Sequence, residues 1–147
     1  SIESVQENLK SEELNETVEI EIQATSVLSD DKEIEILNGL AKFEEKNKFR
    51  DVNLSLSSLA SSLKTNRTYL SEVIKKNKGK NFNAYINELR INYIVRKLYN
   101  NPEYLNYKIS YLAEDCGFVS HSSFATIFKS VLGISPSTFI QNLKEES

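Results

Sequence analysis

The sequence predicts an all-α domain of seven helices, in which two helix-turn-helix units are joined by a long central helix. Three observations carry this. Apolar residues recur at helical spacing through residues 32–145. Residues that start and stop helices bracket those stretches, with Ser55, Asn66, Ser120 and Ser135 ahead and Gly79, Gly117 and Gly133 behind. Finally, one stretch repeats. Leu59-Ala60 matches Leu112-Ala113 at an offset of 53, while Asn66, Leu70, Ile74, Lys75 and Gly79 match Ser120, Phe124, Phe128, Lys129 and Gly133 at an offset of 54. The change of one residue falls in the turn, where insertions are tolerated.

Residues 1–30 are rich in Glu, Ser, Asn and Gln, and Val18, Ile20 and Ile22 alternate with glutamates in a pattern that can form a short strand. Such an acidic stretch with few aromatics buries too little surface to order itself, so residues 1–31 read as a flexible linker or arm and 32–147 as the domain. Asp30 or Asp31 can cap a first helix over about 32–47, with Ile36, Leu40 and Phe43, with or without Leu37, as its buried stripe. Ser55 caps the second, turning Leu56, Leu59, Ala60 and Leu63 inward, and Asn66 caps the third, with Leu70, Val73 and Ile74 inward. The fourth, over 82–100, has an apolar face that broadens after Ile91, as a helix packed by both units requires. Asn100-Asn101-Pro102 breaks it, and 103–108 link to the second unit. Ile109, Leu112, Ala113 and Cys116 line the fifth helix, which Gly117 ends. Phe124, Ile127 and Phe128 line the sixth. Ser135-Pro136 pairs an N-cap with a first-turn proline, opening a seventh helix that runs to about 144.

A net charge of −3 over 147 residues hides an uneven distribution. Residues 1–47 hold 4 Lys/Arg against 13 Asp/Glu, a net −9, whereas residues 48–147 hold 14 against 8, a net +6. The single cysteine allows no internal disulfide, which fits a reducing, cytoplasmic compartment. No apolar run approaches the length of a membrane span, and no signal peptide is evident. The chain begins with Ser1 and reads as a piece of a longer protein.

The residues offer no catalytic constellation, no metal-ligand spacing and no cofactor motif. His121 has no acid partner nearby in sequence, and Cys116 on an apolar face reads as inert packing. Glu44-Glu45 and Glu114-Asp115 read as solvated helix faces. The Tyr and Phe residues sit at core periodicity, leaving no exposed aromatic platform on which bases could stack.

A helix-turn-helix places its second helix in the DNA major groove. Here the string Leu112-Ala113, Gly117-Phe118, Ser123-Phe124, Phe128-Lys129 and Gly133-Ile134-Ser135-Pro136 closely resembles the C-terminal signature of AraC-type transcription regulators. The duplicated unit resembles that family's DNA-binding domain too, over roughly 32–145. The strings Leu59-Ala60-Ser61-Ser62-Leu63, Tyr69-Leu70-Ser71 and 85–94 look like the group from Bacteroidetes-like bacteria, in which the domain follows tetratricopeptide repeats and a membrane helix. The resemblance implies double-stranded DNA as partner, with RNA polymerase as a second one, and no small-molecule site in this piece. It also implies a sensor region upstream, and a cytoplasmic domain that can belong to a membrane-anchored activator. One departure stands out: typical members carry Arg after the aromatic at Phe139, and this chain has Ile140, leaving that role unfilled or passed to Lys144.

Helical geometry selects the DNA-facing sides. Opposite Leu70, Val73 and Ile74 lie Arg67, Thr68, Ser71, Glu72, Lys75 and Lys76. Opposite Phe124 and Phe128 lie His121, Ser122, Ala125, Thr126 and Lys129. Arg and Lys suit phosphates, Glu accepts from cytosine, and Thr touches a thymine methyl. The second set is poor in long side chains and is expected to position more than it reads. The alternative is a protein-interaction module derived from a helix-turn-helix repeat that has lost DNA affinity, which the low charge and Ile140 favour slightly.

Overall fold

The computed structural model describes residues 30–146. The strand pattern at 18–22 and the expected arm lie outside them, except for Asp30 and Asp31, which are helical residues of α1 rather than its cap. Among the described residues α1 covers 30–45, ending about two residues before the predicted end.

The chain divides at residues 38 and 39. Of the segment before residue 39, the described part is the opening of α1, where Lys32 and Glu35 pair at 3.4 Å and Ile36 is buried.

From residue 39 onward the chain holds the rest of α1, a 3-10 turn at Lys48–Arg50, and helices α2 (Leu56–Ser62), α3 (Arg67–Lys78) and α4 (Phe82–Asn100). A 3-10 segment at Pro102–Asn106 then leads to α5 (Ile109–Asp115), α6 (His121–Leu132) and α7 (Pro136–Glu146). Among the described residues there are seven α-helices and no strand, as the periodicity predicts. The central helix matches its predicted bounds, and Asn81 caps it by accepting from Ala84 N at 2.9 Å. α7 runs two residues further than predicted.

The architecture is a pair of helical hairpins, α2 with α3 and α5 with α6, both packed on α4 through α3 and α6. At Gly39 a Cβ would lie 2.5 Å from Leu63 Cδ2, so the missing side chain is what lets Leu63 close on α1. Leu59, Leu70, Ile74 and Ile86 form the buried positions of the first hairpin region, and Leu112, Cys116, Phe124 and Phe128 those of the second. Aromatic edges run through both. Phe43, Phe49 and Tyr93 meet in T-shaped pairs at 6.3 and 6.0 Å, and Phe118, Phe124, Phe128 and Phe139 follow one another at 5.5–5.6 Å. Such pairs add about 0.5–1.5 kcal/mol each beyond the area they bury. Ile140 joins this core, so the apolar residue where arginine is usual serves packing.

Candidate nucleic-acid interface

α3 and α6 are built alike. Each has 12 residues, opens on a side-chain cap and closes on a glycine in the left-handed conformation. Asn66 Oδ1 accepts from Tyr69 N at 2.8 Å, and Ser120 Oγ accepts from Ser123 N at 3.1 Å. Each buries its apolar stripe, Leu70, Val73 and Ile74 in one and Phe124 and Phe128 in the other. The opposite faces carry the predicted residues. Arg67, Thr68, Glu72, Lys75, Lys76, His121, Ser122, Thr126 and Lys129 are exposed, and Ser71 and Ala125 half-buried. On each helix the structure thus brings its predicted set onto one accessible surface.

The electrostatics of the two faces differ. α3 ends in Lys75, Lys76 and Lys78, with Lys80 just beyond, while α6 has Lys129 alone in its last turn. Lys78 pairs with Glu44 at 3.8 Å, and Lys80 pairs with Glu88. Glu44 is therefore partnered and half-buried, not a simple solvated charge.

The turns that aim these helices are also alike. Thr65 N donates to Ala60 O and Phe118 N to Ala113 O, both at 2.9 Å. In the first turn Lys64 takes the positive φ of 58°, and in the second Gly117 takes 103°. A Cβ at Gly117 would lie 2.8 Å from Arg50 O and 2.9 Å from Arg90 Nε, so this glycine is needed for closeness as well as conformation.

That closeness belongs to a network that sequence reasoning missed. Arg50 Nε donates to Asp115 O at 2.7 Å and its Nη2 to Asp115 Oδ1 at 2.8 Å. Arg90, from α4, donates to Phe49 O at 2.7 Å and to Asp51 O at 2.9 Å. Tyr104 and Tyr93 donate to Asp115 Oδ2 at 3.2 and 3.4 Å, and Arg50 lies over the Tyr93 ring at 4.8 Å. Asp115 is only 12% exposed, so the reading of it as a solvated charge is corrected: it is the acceptor on which three segments converge. Burial first, and Asp115 second, push the Tyr104 hydroxyl up to about 12. The nearby Cys116 thiol is fully buried, and that burial pushes it up to about 12, in keeping with packing and not reactivity.

The aromatic expectation is corrected as well. Tyr99, Tyr107 and Tyr111 are exposed, and Tyr107 meets Tyr104 in a tilted pair at 4.9 Å and Tyr111 in a T-shaped pair at 4.8 Å. Val119, just ahead of α6, is exposed too.

A family model described as a helix-turn-helix domain matches residues 59–142, which is most of the two units. The chain belongs to this AraC-type helix-turn-helix family. The family and the fold are those of DNA-binding transcription regulators. The TCP pilus virulence regulatory protein of Vibrio cholerae serotype O1 is 31% identical over 88 residues, 60% of this chain and 30% of that protein. The chain thus spans about a third of the length of the curated relatives it matches. Among solved structures, the C-terminal domain of the two-component response regulator yesN from Fusobacterium nucleatum is 28% identical with a TM-score of 0.59, over 68% of this chain and 92% of that one. The DNA-binding domain of AdpA, solved in complex with a target DNA, shares the fold at 18% identity and a TM-score of 0.65, over 76% of this chain and 94% of that one. Among the described residues no helix is long and apolar enough to cross a membrane.

Proposed function

We propose that this domain is the DNA-reading output module of a longer bacterial regulator, seating α3 and α6 in adjacent major-groove segments on one face of a duplex. The observation that carries the reading is the pair of capped 12-residue helices, each buried on one side and polar on the other, braced against one central helix. Arg67, Lys75, Lys76 and Lys129 are assigned to phosphates. Thr68, Ser71 and Glu72 are assigned to base edges, and His121, Ser122, Ala125 and Thr126 to the second groove segment. Domain limits at 32–147, an upstream sensor with tetratricopeptide repeats, a cytoplasmic setting and contact with RNA polymerase complete the proposal. The upstream sensor rests on the resemblance of residues 85–94 and their companion strings to Bacteroidetes-like regulators, the domain limits on composition, and the setting on the single cysteine.

A gel mobility shift on random duplex DNA at two salt concentrations tests it. Affinity is expected to fall steeply with salt, the log–log slope growing by about 0.9 for each phosphate contact. A second reading, a protein-docking module, draws on the exposed Tyr107 and Tyr111. No shift at about 50 mM salt would favour it, because phosphate contacts are strongest there.

A further inference from the structure

We propose that Val119 is a specificity-determining residue of the second unit, its isopropyl group reading the 5-methyl of a thymine where α6 enters the groove. The proposal rests on the DNA-binding reading above. Val119 is 84% exposed, the most exposed large apolar side chain among the described residues, ahead of Tyr99 at 61%. Its position, more than its exposure, decides the matter. The two turns close on equivalent hydrogen bonds, at Thr65 and at Phe118. In the first unit the cap Asn66 follows at once. In the second, one extra residue stands between Phe118 and the cap Ser120, and that residue is Val119.

The insertion therefore sets a branched apolar group at the leading end of α6, beside the first-turn residues His121 and Ser122. Recognition helices meet base edges with their N-terminal residues. The rest of the α6 reading face offers Ser122, Ala125 and Thr126, none of which carries an isopropyl group. Thymine alone presents a methyl in the major groove, and an apolar contact with it distinguishes an A·T pair from the other orientations and from G·C. At 84% exposure, Val119 has most of its apolar surface available to that contact.

The test is a double-mutant cycle between protein and DNA. A duplex is first selected from a random pool by the wild-type chain. Each thymine in the half-site bound by α6 is then replaced singly by deoxyuridine, which removes only the methyl, and Kd is measured for wild type and for Val119→Ala. In wild type one such replacement is expected to weaken binding about fourfold, the equivalent of one buried methyl. Val119→Ala is expected to lose about as much on the thymine duplex and to be indifferent to the same replacement. Circular dichroism of the variant should match wild type, since the residue is exposed. Equal uracil sensitivity in both proteins, or a selected half-site without thymine, overturns the role of Val119 while leaving DNA binding standing. Failure of wild type to bind any duplex overturns the DNA-binding reading, and Val119's role with it.

Discussion

In the first turn the left-handed residue is Lys64, and in the second it is Gly117. Three positions ahead of each cap-directed bond the contrast repeats. Ser62, at the end of α2, donates to Leu59 O within its own helix. Its counterpart in the repeat, Asp115, accepts instead from Arg50, 65 residues away, from Tyr93 of α4 and from Tyr104. The first unit is thus closed by local hydrogen bonds at this corner, and the second is fastened to α4 and to the turn before α2. Equal local geometry does not imply equal tertiary support.

The largest effect should come from forcing the two turns to exchange chemistry. Gly117→Ala meets both a positive φ and the Arg50 carbonyl, and is expected to destabilise the domain by about 2–5 kcal/mol in urea denaturation. Lys64→Gly, at the equivalent position, is expected to change stability by no more than about 1 kcal/mol. Comparable losses for the two would mean that the turns are supported alike. Next, Asp115→Ala strips an acceptor from Arg50 and Tyr104, for an expected loss of about 1–3 kcal/mol. Ser62→Ala should stay within about 0.5 kcal/mol, read from paired thermal melts.

The reading faces sharpen the contrast from the other side. The Ser71→Ala/Glu72→Ala pair should relax base preference in one half of a selected site. The Ser122→Ala/Thr126→Ala pair should weaken binding with little change of motif, because short hydroxyls supply less than the roughly 1–3 kcal/mol of a bidentate contact. A larger motif shift from the second pair would reverse the assignment. The smallest expected effect is a drop of about 0.9 in the salt slope for Lys75→Ala, and the same for Lys129→Ala, each being assigned to one phosphate.

Which of these features could be read from the chain follows from the range of the forces involved. Caps at Asn66 and Ser120, the stripe of Leu70 and Ile74, and the bounds of α4 depend on neighbours a few residues away, so residue type and spacing reveal them. Asp115 looked like surface charge because its partner is 65 residues distant and nothing in local pattern points to Arg50. Tyr107 misled differently. It follows a 3-10 segment, Pro102–Asn106, where the α-helical period that marks buried aromatics no longer applies. Lys64 carries no trace of its backbone conformation in its side chain, although its alignment with Gly117 in the repeat was a usable signal.

The bracing of both hairpins on α4 has a further consequence for affinity. A 19-residue helix is a strut of about 28 Å, with no slack of the kind a Gly/Ser tether would give. Once one recognition helix has landed, the other is held at high effective concentration over a single narrow span of the duplex and nowhere else. Avidity and spacing selectivity are then the same property. Two half-sites moved apart by a few base pairs would be bound as two separate weak sites, however good each sequence is.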